Sequence, residues 1–188
     1  DTLRSRGLGD VYKRQQVDYA DVIADLANMK ESTLRRFCAN ITERAARTLR
    51  CSSVNIWLFD DKQTEIRCLD RYDLRAQRHS DGAVLAKAAH PKYFAALQQE
   101  RVIMANDALA DHRTSEFAES YLSENDIRSM LHAPIRQDGQ VVGVISIEQA
   151  GALRIWRNDE VSFTGTLADF VTIACLLYTS PSPRDRNV

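Results

Sequence analysis

The sequence predicts an α+β domain: a central antiparallel sheet, with N- and C-terminal helices on one face and short helices and loops covering a pocket on the other. Three observations carry this. Ile127–Glu148 reads as two apolar strands joined by a tight turn at Gln137-Asp138-Gly139-Gln140. Asp-Gly between β-branched runs is a strong hairpin signal, because glycine accepts the positive φ such turns demand. The other strands also meet mostly by hairpins, which makes the sheet antiparallel. Apolar stripes at steps of three and four residues near both chain ends supply the covering helices.

The flanks are set aside before the elements are read. Ser5–Gln15 and Cys175–Asp185 can be written as opposite strands of one DNA segment, a relation with no ordinary protein-level cause. They resemble translated sequencing adapter, so residues 1–15 and 175–188 are excluded from fold reasoning as processing scars. The competing view is a basic arm and a Pro-rich tail. Residues 16–33 then form an N-terminal signalling or linker helix, and 34–174 the folded domain. On this reading the natural protein continues past both ends, and its output domain is missing.

Val17–Leu49 reads as one long helix, or two meeting near Glu31-Ser32, with a stripe from Tyr19 to Leu49. Its first half either packs on its own domain or projects as a dimer helix; its second half covers the sheet. Val54–Phe59 alternates as a strand, and Glu65–Asp73 pairs with it as a hairpin. After Asp81-Gly82, Ala83–Ala89 reads as a short amphipathic helix. Pro91 suits the first turn of the next helix, Lys92–Gln99. Arg101–Ala105 is a short strand, and Ser115–Ser123 is helical with Phe117 and Tyr121 on one face. In the main hairpin, Pro134 belongs at a bulge or an edge-facing position, and Val141–Ile147 at the sheet's centre. Asn158 reads as the N-cap of a closing helix whose apolar face is Phe163, Leu167, Phe170, Val171 and Ala174.

Composition excludes several function classes. The full chain carries 25 basic and 26 acidic residues; removing the flanks' six and three leaves 19 and 23, a net of −4. No basic face stands out, which argues against nucleic acid as a partner. The longest apolar run, Val141–Ile147, is too short to span a bilayer, so no membrane contact is expected. Outside the tail the cysteines are Cys38, Cys51 and Cys68, an odd number without paired spacing, as in a reducing cytoplasm. The four histidines are scattered without zinc-ligand spacing, which argues against a metal.

Ser53–Asp60, His90–Leu97, Asp111–Phe117, Ser129–Glu148 and Arg154–Asp169, in this order, resemble a bacterial GAF domain over about Leu34–Ala174. The likeness is greatest to the subgroup in sensor histidine kinases and related signalling proteins. It implies a GAF/PAS-like fold and a small-molecule-sensing regulatory module that relays ligand state through its terminal helices as a homodimer. A ligand-free dimerisation and relay module is the alternative. Cyclic-nucleotide-binding relatives carry an Asn-Lys…Phe-x(3)-Asp-Glu signature, which Asp159, Glu160 and Phe163 do not reproduce in order. Bilin-binding relatives attach chromophore to a cysteine in the mid-chain helical region. Ala83–Glu100 has none, so the expectation is against a covalent bilin, with the ligand left unknown. Where the subgroup commonly has Leu-Asp, this chain has Leu131-His132.

The candidate ligand-binding residues are Tyr93, Phe94, Asn106, Asp107, Arg113, Thr114, Ser129, Leu131 and Glu148. Tyr93 and Phe94 are either part of a lid or buried anchors of a cover helix. Arg113 either forks onto a ligand carboxylate or phosphate, or pairs with Asp111 or Glu116. Ser129 and Glu148 are polar handles if they face the pocket. No catalytic residue is expected. The cysteines do not sit where a free methionine sulfoxide reductase would need them, and no nucleophile–base constellation is visible.

Overall fold

The computed structural model describes residues 18–179. The first presumed scar lies wholly outside that range, and the second does so beyond residue 179. Two helices open the described chain: α1 (residues 18–28) and α2 (Leu34–Leu49). They break at 29–33, where the Thr33 side chain caps α2 by accepting from the Arg36 amide. Tyr19 stacks on Phe163 at 4.6 Å and Leu26 is fully buried, so α1 folds back onto its own domain.

The sheet contains β1 (Ser53–Phe59), β2 (Glu65–Asp73), β3 (Arg78–Ser80), β4 (Val84–Ala86), β5 (Ile103–Ala105), β6 (Ile127–Gln137) and β7 (Gln140–Ala150). Its order is β3-β2-β1-β7-β6-β5, every pair antiparallel, with β4 pairing the other end of β2. Asp138 and Gly139 both have positive φ (49° and 79°), the geometry that keeps β6 and β7 in register. Pro134 lies where β6 runs past β5, which pairs only Met130–His132, so its missing N–H falls on an outer edge.

Val54, Ile56, Leu131, Ile145 and Ile147 face α2 and α4 (Asn158–Thr179) in a dry apolar core. Along α4, Phe163, Leu167, Val171 and Ala174 close it at helical spacing. By length and composition alone α4 is apolar enough to cross a membrane, but 39% of that window is buried inside the molecule. The helix continues through Cys175, and the Tyr178 hydroxyl donates to the Glu31 carbonyl at 2.8 Å.

Two local expectations are corrected. Val84–Ala86 is a strand rather than the start of a helix; only Lys87–Ala89 makes a 3₁₀ turn. The free end of β2 offers Glu65–Arg67 as a pairing edge, and that non-local pairing wins over a short amphipathic pattern. Arg157, not Asn158, occupies the cap of α4: its amide donates to Glu160 at 2.9 Å, as in half of a capping box.

Candidate functional site

The other face of the same strands is covered by α3 (Pro91–Gln99), a 3₁₀ turn (Ser115–Phe117) and a π-helical turn (Ala118–Leu122). The cover is tied together by Glu116, whose carboxylate accepts from the Lys92 and Tyr93 amides at 3.1 and 3.0 Å and so caps α3. His90 stacks on Phe117 at 4.3 Å, and Tyr93 meets Phe117 edge-on at 4.8 Å.

Beneath this cover the sheet is polar. Register aligns Arg71 (β2), Asn55 (β1), Ser146 (β7) and His132 (β6) in one row across four strands. The next row holds Ser53 and Glu148. Alternation puts these side chains opposite Val54, Ile56, Ile145 and Ile147. All are buried except Arg71, which is half-buried.

Glu148 is 1% exposed and accepts from Ser53 Oγ at 2.9 Å and from the Tyr121 hydroxyl at 2.7 Å. Arg71 Nη1 donates to the same hydroxyl at 3.1 Å. Burial pushes the Tyr121 phenol well above its ordinary pKa, with the Glu148 charge adding to the effect, so the hydroxyl stays a donor. His132 Nδ1 lies 2.6 Å from the Tyr93 hydroxyl. Burial lowers the His132 pKa to about 3, leaving a neutral ring.

Some of this polarity has no partner. The Asn55 amide nitrogen and oxygen and His132 Nε2 are buried without a hydrogen bond. Such groups are rare in folded proteins, since each costs about 1–3 kcal/mol when left unsatisfied. The cavity beside His132 is lined also by Trp57, Tyr93, Phe117, Tyr121, Met130, Ser146 and Glu148, and its volume is about 10 Å³, room for about one water. A separate open groove of about 460 Å³ is lined by Phe94, Phe59 and Lys87.

A family model for the GAF domain matches residues 33–175. The chain belongs to the GAF domain family. Its fold is shared at low identity by solved GAF structures. The GAF domain of an Acinetobacter phosphoenolpyruvate-protein phosphotransferase superposes with a TM-score of 0.69 at 15% identity, over 90% of this chain and 98% of that one. The blue-light-absorbing form of the Thermosynechococcus elongatus PixJ GAF domain gives 0.64 at 18%, over 77% and 86%. A far-red-absorbing dark-state protein with bound biliverdin IXα gives 0.71 at 16%, over 87% and 99%. A comparison with curated proteins finds no match.

The biliverdin-bound neighbour corrects the cofactor expectation. Setting bilin aside rested on one segment lacking a cysteine, whereas this fold demonstrably houses such a chromophore. In the closed arrangement described here, a tetrapyrrole enters only if the cover opens. No group of three or more His, Cys, Asp or Glu side chains gathers into a metal-binding cluster among the described residues.

Of the sequence-derived candidates, Tyr93 and Glu148 line the GAF cavity and Phe94 lines the separate open groove. Leu131 faces α2 and α4. Ser129 Oγ donates to the Asn106 carbonyl at 2.7 Å and accepts from the Arg154 amide, while Asn106 Oδ1 accepts from the Trp156 amide at 3.0 Å. These bonds hold the loop before α4. Asp107 accepts from the Ala110 amide at 3.3 Å, and Thr114 donates to the Ala108 carbonyl at 2.7 Å. Arg113 is engaged by Asp111, by Glu100 at 2.6 Å and by the Met104 carbonyl at 2.9 Å. Tyr121, His132 and Ser146 join the cavity lining from the structure, with Arg71 and Asn55 in the same cross-strand row as Ser146.

Proposed function

We propose that this GAF domain is the regulatory, small-molecule-sensing part of a bacterial signalling protein, with a sensor histidine kinase as parent. The ligand lies between the polar row and its cover, and its binding favours one arrangement of the terminal helices. That shift is as large as the ligand's differential affinity for the two arrangements and no larger. The domain acts in the cytoplasm as a homodimer joined through those helices, and its output domain lies elsewhere in the parent protein.

The observation that carries this reading is the buried, unpartnered Asn55 amide in the same cross-strand row as the unpartnered His132 Nε2. A protein interior selected for stability alone replaces such groups with apolar ones. A regulatory rather than catalytic role fits the thiols as well. Burial pushes Cys51 and Cys68 up to about 12 and Cys38 higher still, away from the thiolate that redox catalysis needs.

The test is native mass spectrometry of the full chain purified from cells, followed by denaturation to release bound compounds. A stoichiometric compound lost from the Asn55→Leu variant supports the reading. The second reading, a ligand-free relay module, is favoured by the cavity's small volume. It is supported if the protein is a clean apo dimer that no compound stabilises.

A further inference from the structure

Tyr121 holds two opposite charges apart. Its hydroxyl accepts from the Arg71 guanidinium at 3.1 Å and donates to the Glu148 carboxylate at 2.7 Å. Among the described residues the guanidinium and the carboxylate make no direct ion pair; they meet through this one oxygen. Tyr121 is the tip of the π-helical turn, a backbone form seen mostly as single turns and often at functional sites. It is therefore a latch carried by the cover and closed onto the sheet.

Opening the latch takes the Tyr121 bond from both groups: buried Glu148 keeps only the Ser53 hydroxyl, and half-buried Arg71 loses its acceptor. A buried carboxylate short of a donor is unfavourable, so the open arrangement favours a molecule that donates to Glu148 and accepts from Arg71. A single hydroxyl serves them in the closed state. In the open state the complementary group is an ammonium against Glu148 together with a carboxylate against Arg71, on one small scaffold. The unpartnered Asn55 amide and His132 Nε2 share the cross-strand row of Arg71, with Ser146 between them, one row from Glu148. Rows two residues apart are separated by about 7 Å, the reach of a short side chain. Because the His132 ring is neutral and Asn55 carries no charge, the group meeting them is neutral and hydrogen-bonding.

We propose that the ligand is a free α-amino acid with a neutral polar side chain. It displaces the Tyr121 hydroxyl, placing its ammonium on Glu148, its carboxylate on Arg71 and its side chain against Asn55 and His132. This rests on the small-molecule reading given above and narrows it to one class. Tyr121 is a positioning residue that competes with the ligand for the same two charges.

Isothermal titration of the full chain with L-serine, L-threonine, L-asparagine and L-glutamine tests the class, with L-glutaminamide and N-acetyl-L-glutamine as analogues lacking one charge each. At least one amino acid is expected to bind, with either single-charge change weakening binding about tenfold or more, as loss of a charge-assisted bond does. Tyr121→Phe is expected to tighten binding about tenfold, because the closed state loses a bond that the bound state does not use. A purely structural tyrosine would leave the affinity unchanged or weaken it. Equal affinity for the analogues overturns the amino-acid class. So does a different co-purifying compound lost from the Asn55→Leu variant, and in both cases the pocket reading stands. An absence of any bound or stabilising compound overturns both.

Discussion

The two faces of one sheet have opposite characters. On the side of α2 and α4, β1, β6 and β7 present Val54, Ile56, Leu131, Ile145 and Ile147 to an apolar core. On the other side the same strands present Asn55, Ser146, Glu148 and His132, buried just as deeply. Strand alternation lets one backbone serve both ends. The helix face contributes stability through area removed from water. The cover face gives stability up by burying polar atoms that the protein itself does not satisfy.

The sharpest way to test this contrast is acid. The unfolded chain's His132 titrates near 6.5, but the folded ring takes its proton only near pH 3. Between these values the unfolded state binds more protons, so this contribution is complete above pH 6.5 and is lost as the pH falls toward 3. At about 1.4 kcal/mol per unit the window is worth roughly 4–5 kcal/mol. Urea unfolding across pH 3–7 is expected to show that slope, and His132→Asn to flatten it. An unchanged slope would mean the ring is not buried neutral.

Ile145→Ala, on the helix face, is expected to cost about 3 kcal/mol through the cavity it leaves, and to spare ligand affinity. Asn55→Leu, one strand away on the cover face, should do the opposite. Exchanging two unsatisfied atoms for methyl groups is expected to raise stability by about 1–2 kcal/mol and to abolish binding. Destabilisation by Asn55→Leu would show that the amide is satisfied in solution, and the contrast between the faces would fail. The smallest effect is reserved for Arg113→Ala. With its donors already engaged by Asp111, Glu100 and Met104, the change should cost about 1 kcal/mol and leave ligand affinity unaltered. Weakened binding would return Arg113 to the site.

What could be seen in the chain beforehand follows the range of the interactions involved. The β6–β7 turn is local chemistry, and Asp138-Gly139 announces it. The closing helix has a period that its neighbours do not alter, from Phe163 to Ala174. Strand β4 was not legible, because Val84–Ala86 is extended only in the presence of Glu65–Arg67. Arg78–Ser80 is three exposed residues with no apolar signature at all. The polar row is harder still: Arg71, Asn55, Ser146 and His132 are brought together by register across four strands. One faint signal existed. Asn55 and Ser146 are single polar residues inside otherwise apolar strands, and a polar residue there must either find a partner or await one.

Arg154 gives the site mechanical reach. Six residues beyond Glu148, it donates to the Leu49 carbonyl at the end of α2 at 2.8 Å and to Glu160 in the first turn of α4 at 2.6 Å, and it stacks over Trp156 at 4.6 Å. The end of one terminal helix and the start of the other are thus pinned to one guanidinium. At 1.5 Å per residue the 22-residue α4 is about 33 Å long. A tilt of about 5° at this pivot would carry the far end of such a rod through roughly 3 Å. A displacement at β7 that tilted this pivot so slightly would become, at the other end of the lever, as wide as half a helix turn.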